Sequence, residues 1–317
     1  MRGNIEKSEL DFCPHSSFRG KVTKGLKQYW DVFPYLIVGL IGFLIFSAYP
    51  IIKGIYMSFF QYNIINPAMS QFIGFTNYIR AFHDYSVLIA LRNTVLYSVV
   101  TVPGQWILGL VLAVLINSKV TKFKVTFRMI YYVPVITSWI VISYLFKYLF
   151  ASGSDGFINY LFYSQLHWFP YPIDWLENEW SAMAVIWILG IWKGMGWVMI
   201  IYLAALQSIS RDYYEAAMVD GAGDKTILRK ITLPLLKPTT VFVVINLIMG
   251  SFNVFIQVYT ITNGNPLGQT DVLLSYMYKQ AFQFMDFGYS SALSVLMGVA
   301  VFILTYTQQK KIGQTNV

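Results

Sequence analysis

Charge is scarce in this chain of 317 residues: only 12% are Asp, Glu, Lys or Arg. Cysteine is nearly absent. Cys13 stands alone, which excludes an intramolecular disulfide. With His15, His83 and His167 scattered along the sequence, a Cys/His zinc cluster is excluded as well. No Gly-x-x-x-x-Gly-Lys-Ser/Thr phosphate loop occurs, so the chain does not itself bind ATP in the usual way. The histidines have no carboxylate or serine partners in an apolar setting that would make a catalytic site. Residues 1–32 hold no apolar run long enough for a signal peptide before Trp30. These absences point away from an enzyme, and no cofactor or metal is called for.

What is present is apolar. Hydrophobic residues make up 56% and aromatic residues 18%, and the mean hydropathy is +0.53. That is outside the range of a soluble domain of this length and marks an integral membrane protein. The fold class expected is all-α, with six transmembrane helices of about 20 residues each. The apolar stretches are 33–52, 94–116, 129–150, 182–206, 239–261 and 288–305. The expected division is a basic cytosolic tail at 1–32, a six-span membrane domain at 33–308 with a polar connecting loop at 210–238, and a cytosolic tail at 309–317.

The formal charge is +8. Its distribution decides what it means. With the N-terminus inside, the cytosolic side collects the basic tail, Lys119, Lys122, Lys124 and Arg128 between spans 2 and 3, Arg211, Lys225, Arg229, Lys230 and Lys237 between spans 4 and 5, and Lys310 and Lys311 at the end. The other side has Lys53, Arg80, Arg92, Lys147 and Lys279. This bias places both termini in the cytosol by the positive-inside rule and accounts for the net charge without nucleic acid. On the outer side, 151–181 carries Asp155, Asp174, Glu177 and Glu179 among Trp, Tyr and Phe. Such a surface suits either an extracytoplasmic partner or an interfacial aromatic belt. Residues 72–92, with Phe75, Tyr78, Ile79 and Phe82 at helical spacing, read as an outer helix along the interface before span 2.

Polar residues inside the spans show which helix faces avoid lipid. In span 5, Asn246, Gly250, Asn253 and Gln257 follow steps of four, three and four and share one face. Two roles are open for them: packing between helices, or exchange of hydrogen bonds with sugar hydroxyls, for which uncharged amides are suited. Phe252, Phe255 and Tyr259 nearby either pack in the core or stack on sugar rings. Span 2 has Thr94, Ser98, Thr101 and Gln105, span 4 has Gly190, Gly194 and Trp197, and span 6 has Ser290 or Ser291 with Ser294 and Gly298. Lys193 is the charged residue deep inside a span. It is either a structural ammonium satisfied by carbonyls or a substrate ligand. No acid lies in any span, which weighs against a proton- or sodium-coupled carrier.

Between spans 4 and 5 the sequence predicts two short helices with a glycine break. Ser210 is the expected N-cap, Gly221 or Gly223 the left-handed terminator, and Asp224 the cap of a second helix running to Pro234. Glu215-Ala216-Ala217, three residues, Gly221, nine residues, then Ile231-Thr232-Leu233-Pro234 resembles the signature loop of ABC-importer permeases. Tyr49-Pro50-Ile51-Ile52, Gly74-Phe75-Thr76-Asn77-Tyr78, Leu203-Ala204-Ala205-Leu206-Gln207-Ser208-Ile209 and Gly288-Tyr289-Ser290-Ser291-Ala292-Leu293-Ser294 extend the likeness. Together they resemble the carbohydrate-uptake class, with its maltose, oligosaccharide and glycerol-phosphate systems. Thr262-Asn263-Gly264-Asn265-Pro266 matches the glycine-rich turn after span 5, with Asn265 where that family more often has Gly.

The resemblance implies a division of labour. Glu215, Ala216, Ala217 and Gly221, continued by Ile231, Leu233 and Pro234, would couple to one of two cytosolic ATPases. A second, homologous permease subunit would complete the membrane part, an extracytoplasmic solute-binding protein would deliver a sugar or oligosaccharide, and the surrounding partner would be membrane lipid. Asn246, Gly250, Asn253, Gln257 and Lys193 are the candidates for the substrate path. The alternatives are an ion-coupled secondary carrier, a non-transport membrane scaffold, or an ABC permease for another solute.

Overall fold

The computed structural model describes residues 36–118, 121–153 and 156–313. The expected tail at 1–32, together with Lys119 and Asp155, lies outside the described residues. The chain divides into two compact units, Met1–Gly54 and Ile55–Val317. Helix α1, Leu36–Ser58, starts in the first. It carries a π-helical stretch at Leu44–Ala48 and leaves Leu40, Phe43 and Phe46 exposed.

In the second unit a two-residue antiparallel ladder pairs β1, Phe60–Gln61, with β2, Gln71–Phe72. These strands are the one departure from an all-helical chain among the described residues. Asn77 donates to the carbonyls of Ser58 at 2.9 Å and Phe60 at 3.1 Å, tying the ladder to α2, Thr76–His83. The predicted outer helix at 72–92 is therefore two pieces. Asp84 interrupts it with an extended ψ of 109° and caps α3, Tyr85–Asn117, by accepting from the Ser86 amide at 2.9 Å. The residues after 84 belong to the long apolar helix.

Next come α4, Lys124–Ile136, and α5, Trp139–Leu149. The sequence predicts one span here, but the pair bends by 96° at Thr137 and Ser138. Pro134 removes an amide donor just before the corner, and Thr137 and Ser138 take extended ψ values of 144° and 137°. Helix α6, Glu179–Ser208, is capped by Asn178, which accepts from the Trp180 amide at 3.0 Å.

Beyond it lie α7, Arg211–Val219, and α8, Asp224–Leu235, which bends by 63° into α9, Lys237–Phe252. Asp224 is the first residue of α8 rather than its cap. Pro234 does not end it either. The backbone is already π-helical over Leu228–Thr232, so the proline enters a fresh turn at its first positions, where no amide donor is required. The predicted span 5 is also discontinuous. Helix α9 ends at Phe252, Phe255 takes φ −148° and ψ −63°, and α10 covers Ile256–Ile261. Then follow α11, Leu273–Phe282, and α12, Phe287–Gly313.

By length and composition, four of these helices can cross a membrane, and up to six spans result if each bent pair counts as one. The long pair α3 and α6 forms the axis of the second unit. Glycines let it close: a Cβ on Gly109 would meet the Val198 side chain, one on Gly190 the Tyr97 ring, and one on Gly196 the Tyr131 carbonyl of α4. One core cluster joins Tyr97, Ile186 and Leu189 to Ile142, Val254 and Val258. A second joins Ala113, Met199 and Tyr202 to Leu236 and Val243, nearer the Glu215 loop.

Candidate functional site

A cavity of about 470 Å³ opens where α9 breaks into α10. Asn246, Gly250, Asn253 and Gln257 line it, together with Gly190, Gly194 and Trp197 of α6, Tyr97 and Gln105 of α3, and Trp139 at the start of α5. The four span 5 candidates thus meet around one space, though not as a stripe on one unbroken helix. Asn246 donates to the Phe242 carbonyl at 2.7 Å and Asn253 to the Met249 carbonyl at 2.9 Å. Side-chain bonds of this kind compete with the helix ladder, which fits the end of α9 at Asn253. Each bond takes one of its amide's two N–H donors and leaves the other, with the Oδ1 acceptor, for a ligand or water.

Gln257 is buried and donates to the Tyr97 hydroxyl at 3.1 Å, joining α10 to α3. Gly194 gives room to Gln105, whose side-chain amide occupies the place a Cβ at residue 194 would need. Trp139 and Trp197 supply two aromatic faces. Among the described lining residues none carries a formal charge. The wall is therefore made of amides, a phenol, a hydroxyl, indoles, the aliphatic side chains of Leu247, Val254 and Ile256, and bare backbone at glycines. It can exchange hydrogen bonds with hydroxyls and pack on apolar ring faces without stripping a charge of water.

Lys193 is not in that wall. Its ammonium donates to the carbonyls of Pro134 at 2.5 Å, Val135 at 3.2 Å and Thr137 at 2.7 Å, and lies 4.8 Å from the centre of the Trp139 ring. Phe255 and Tyr259 are likewise outside the cavity, stacked at 5.4 Å and in contact with Tyr278. Thr94 is fully buried, donating to the Ala90 carbonyl and accepting from the Leu273 amide at 3.0 Å. Ser290 and Ser294 donate to the carbonyls of Met277 and Ser290, both at 2.9 Å. Sequence reasoning missed Tyr97 and Trp139. Tyr97 lies three residues after Thr94 and four before Thr101, on the same side of span 2, so helical spacing could have found it, whereas Trp139 reaches the cavity only because the corner before it turns the chain.

The Glu215 loop forms a second surface. Ser210 caps α7 by accepting from the Asp212 amide at 3.3 Å. At the other end Gly221 takes φ +76°, the Gly221 amide donates to Met218 at 3.1 Å and the Ala222 amide to Ala217 at 2.9 Å, a complete Schellman termination. Ala217 is buried, whereas Glu215, Ala216 and Gly221 are exposed beside the exposed side chains of Tyr213 and Val219. Ile231 is half-buried, and Leu233 and Pro234 are exposed. The Thr232 hydroxyl meets the Tyr214 hydroxyl at 3.5 Å, linking α7 to α8.

At the opposite end of α3, the Asp84 carboxylate accepts from the Tyr276 and Tyr289 hydroxyls, each at 2.7 Å, and so ties α3 to α11 and α12. Burial works against its charge, but the two phenols, the Ser86 amide and the Arg80 guanidinium outweigh it and hold Asp84 below the usual carboxylate range. Burial first, then the bond and charge of Asp84, push the Tyr276 phenol up to about 12. Arg80 also pairs with Asp286 at 2.7 Å. Nearby, the turn after α10 is closed by Lys279, which bonds Asp271 at 2.8 Å and the Asn263 carbonyl at 2.9 Å. Gly264, at φ +82°, has no room for a Cβ against that pair.

Residues 105–312 match the family model described as "Binding-protein-dependent transport system inner membrane component". Among curated relatives, the arabinooligosaccharides transport system permease protein AraP of Halalkalibacterium halodurans is 32% identical over 281 residues, covering 87% of this chain and 86% of that protein. The lactose transport system permease protein LacF of Rhizobium radiobacter is 34% identical over 288 residues, covering 89% and 95%. Among solved structures, a chain of a bacterial alginate ABC transporter in complex with alginate pentasaccharide-bound periplasmic protein superposes with a TM-score of 0.78 at 27% identity, over 90% of this chain and 94% of that one. With the matched region reaching from α3 through α12, the chain belongs to the family of binding-protein-dependent transport system inner membrane components.

Proposed function

We propose that this chain is the permease subunit of an ATP-driven, binding-protein-dependent importer, and that a sugar or oligosaccharide crosses at the α9–α10 break. The observation that carries the reading is the uncharged, amide- and indole-lined cavity inside an apolar helical body. A volume of about 470 Å³ falls within the roughly 300–1,000 Å³ usual for small-ligand sites. The names of the arabino-oligosaccharide and lactose relatives support the solute class.

In this reading six spans cross the cytoplasmic membrane with both termini in the cytosol, as the basic bias favours. Glu215, Ala216, Ala217 and Gly221 dock against one of two cytosolic ATPases, and Ile231, Leu233 and Pro234 of α8 back the docking helix. The short exposed ledge of α7, ended by a rigid Schellman turn, supports that role. A second, homologous permease closes the cavity from the open side. An extracytoplasmic binding protein delivers the sugar, and lipid covers the remaining apolar faces, such as those of Val99 and Phe302.

The test is uptake by the assembled complex in liposomes. Asn253→Leu and Gln257→Leu are each expected to lower uptake roughly two- to tenfold, the worth of one neutral hydrogen bond, while basal ATP hydrolysis persists. Unchanged uptake in both variants would reduce these residues to packing.

A further inference from the structure

Lys193, deep inside α6, has no acidic partner among the described residues, and its position explains why it needs none. Helix α4 stops at Ile136 in an apolar body, so its last carbonyls lose their intrahelical donors. Water cannot reach them in a bilayer, and each unmet carbonyl there is costly. Thr137 covers the first, its amide and hydroxyl both donating to Val133. The three protons of the Lys193 ammonium go to Pro134, Val135 and Thr137. The charge itself sits at the negative end of the α4 dipole and beside the Trp139 ring. Nothing on that nitrogen is left for a ligand.

Trp139, the first residue after the corner, is both the ring beside this ammonium and part of the cavity wall. We propose that Lys193 is a positioning residue: it clasps the α4–α5 corner and thereby sets Trp139 in the wall of the substrate cavity. The proposal rests on the reading of that cavity as the sugar path. Because the clasp comes from α6, the same helix that contributes Gly190, Gly194 and Trp197, it fixes two walls of the cavity relative to each other. It also removes the one nearby positive charge from substrate recognition.

The single native cysteine makes the test clean. In the full complex with Cys13→Ser, a reporter is introduced as Trp139→Cys or, separately, Asn253→Cys, and the rate of reaction with a charged, membrane-impermeant methanethiosulfonate is measured. Lys193→Met is expected to change the rate at position 139 at least tenfold, Lys193→Arg to restore it within about twofold, and the rate at position 253 to stay within about twofold throughout. An unchanged rate at 139 in Lys193→Met overturns the proposal. Equal changes at 139 and 253 overturn it too, since they mean general loosening rather than a local clasp. If Lys193→Met does not assemble, Lys193→Gln is compared with Lys193→Arg at position 139, and equal rates overturn the proposal. Failure of both reporters to react with Lys193 intact overturns the cavity reading itself, and the proposal with it.

Discussion

Replacing Gln257 by leucine breaks the hydrogen bond that joins α10 to α3 beside the cavity, from Gln257 Nε2 to the Tyr97 hydroxyl at 3.1 Å. Tyr97 is 3% exposed, so its hydroxyl has little access to water when its partner is lost, whereas Gln257 can turn its amide toward the cavity it lines. The lone Gln257→Leu change leaves a buried phenol without its donor, at a cost of about 1–3 kcal/mol. Tyr97→Phe leaves an amide that can turn toward the cavity, and costs about 0.5–1.5 kcal/mol. Removing both partners leaves no orphan, so the double variant should fall short of the sum by about 1 kcal/mol. The assay is denaturant unfolding of the purified complex for the parent, the two single variants and the double. Additivity within about 0.5 kcal/mol would refute the direct bond and the α3–α10 contact drawn from it.

Other consequences can be checked separately. Gly221→Asp places a side chain at φ +76° and a charge on the exposed turn, so the protein should reach the membrane with ATP hydrolysis uncoupled from uptake; normal uptake would remove the docking role of the loop. Gly196→Val drives a side chain into the Tyr131 carbonyl, a backbone atom that cannot rotate away, and should cost about 1–3 kcal/mol of stability by overpacking, read as lost yield of assembled complex. Asp84 is held below its ordinary value of 3.8, so the stability it lends is present above that value and is lost as pH falls through the folded-state value. Unfolding midpoints measured as the pH is lowered below about 4 should therefore drop more steeply in the parent than in Asp84→Asn, and parallel curves would show that the carboxylate is not clasping α11 and α12.

Local chemistry is the part of this molecule that reads directly from residues. Ser210 and Gly221 bound α7 because an N-cap hydroxyl and a left-handed glycine act within one turn. The polar steps at 246, 250, 253 and 257 also pointed to one place, because a group that is costly in lipid must face inward wherever its helix runs. Periodicity could not show that the helix breaks among them, since it records which residues share a face and not where the backbone turns at Asn253 to Phe255. The corner at Thr137 and Ser138 was hidden for a related reason. Pro134 alone permits a kink, but a 96° turn persists only with carbonyl partners, and those come from Lys193, separated from Pro134 by 59 positions. Tyr97 and Trp139 follow from that long-range geometry. Of the two roles left open for Lys193 by its sequence context, the three carbonyl contacts support the structural one.

On the proposed reading, the α9–α10 break borders a water-filled path which the sugar occupies. The most direct test is the labelling of Asn253→Cys, on the Cys13→Ser background, in the complex with its binding protein and ATPases. Val243→Cys, at a position with 0% exposure, is the buried control. The thiol at 253 is expected to react with an impermeant reagent, the control not to react, and the transported sugar to slow the reaction during turnover. A thiol at 253 that stays inert, or that reacts at one rate with and without sugar in a complex that still transports, contradicts it.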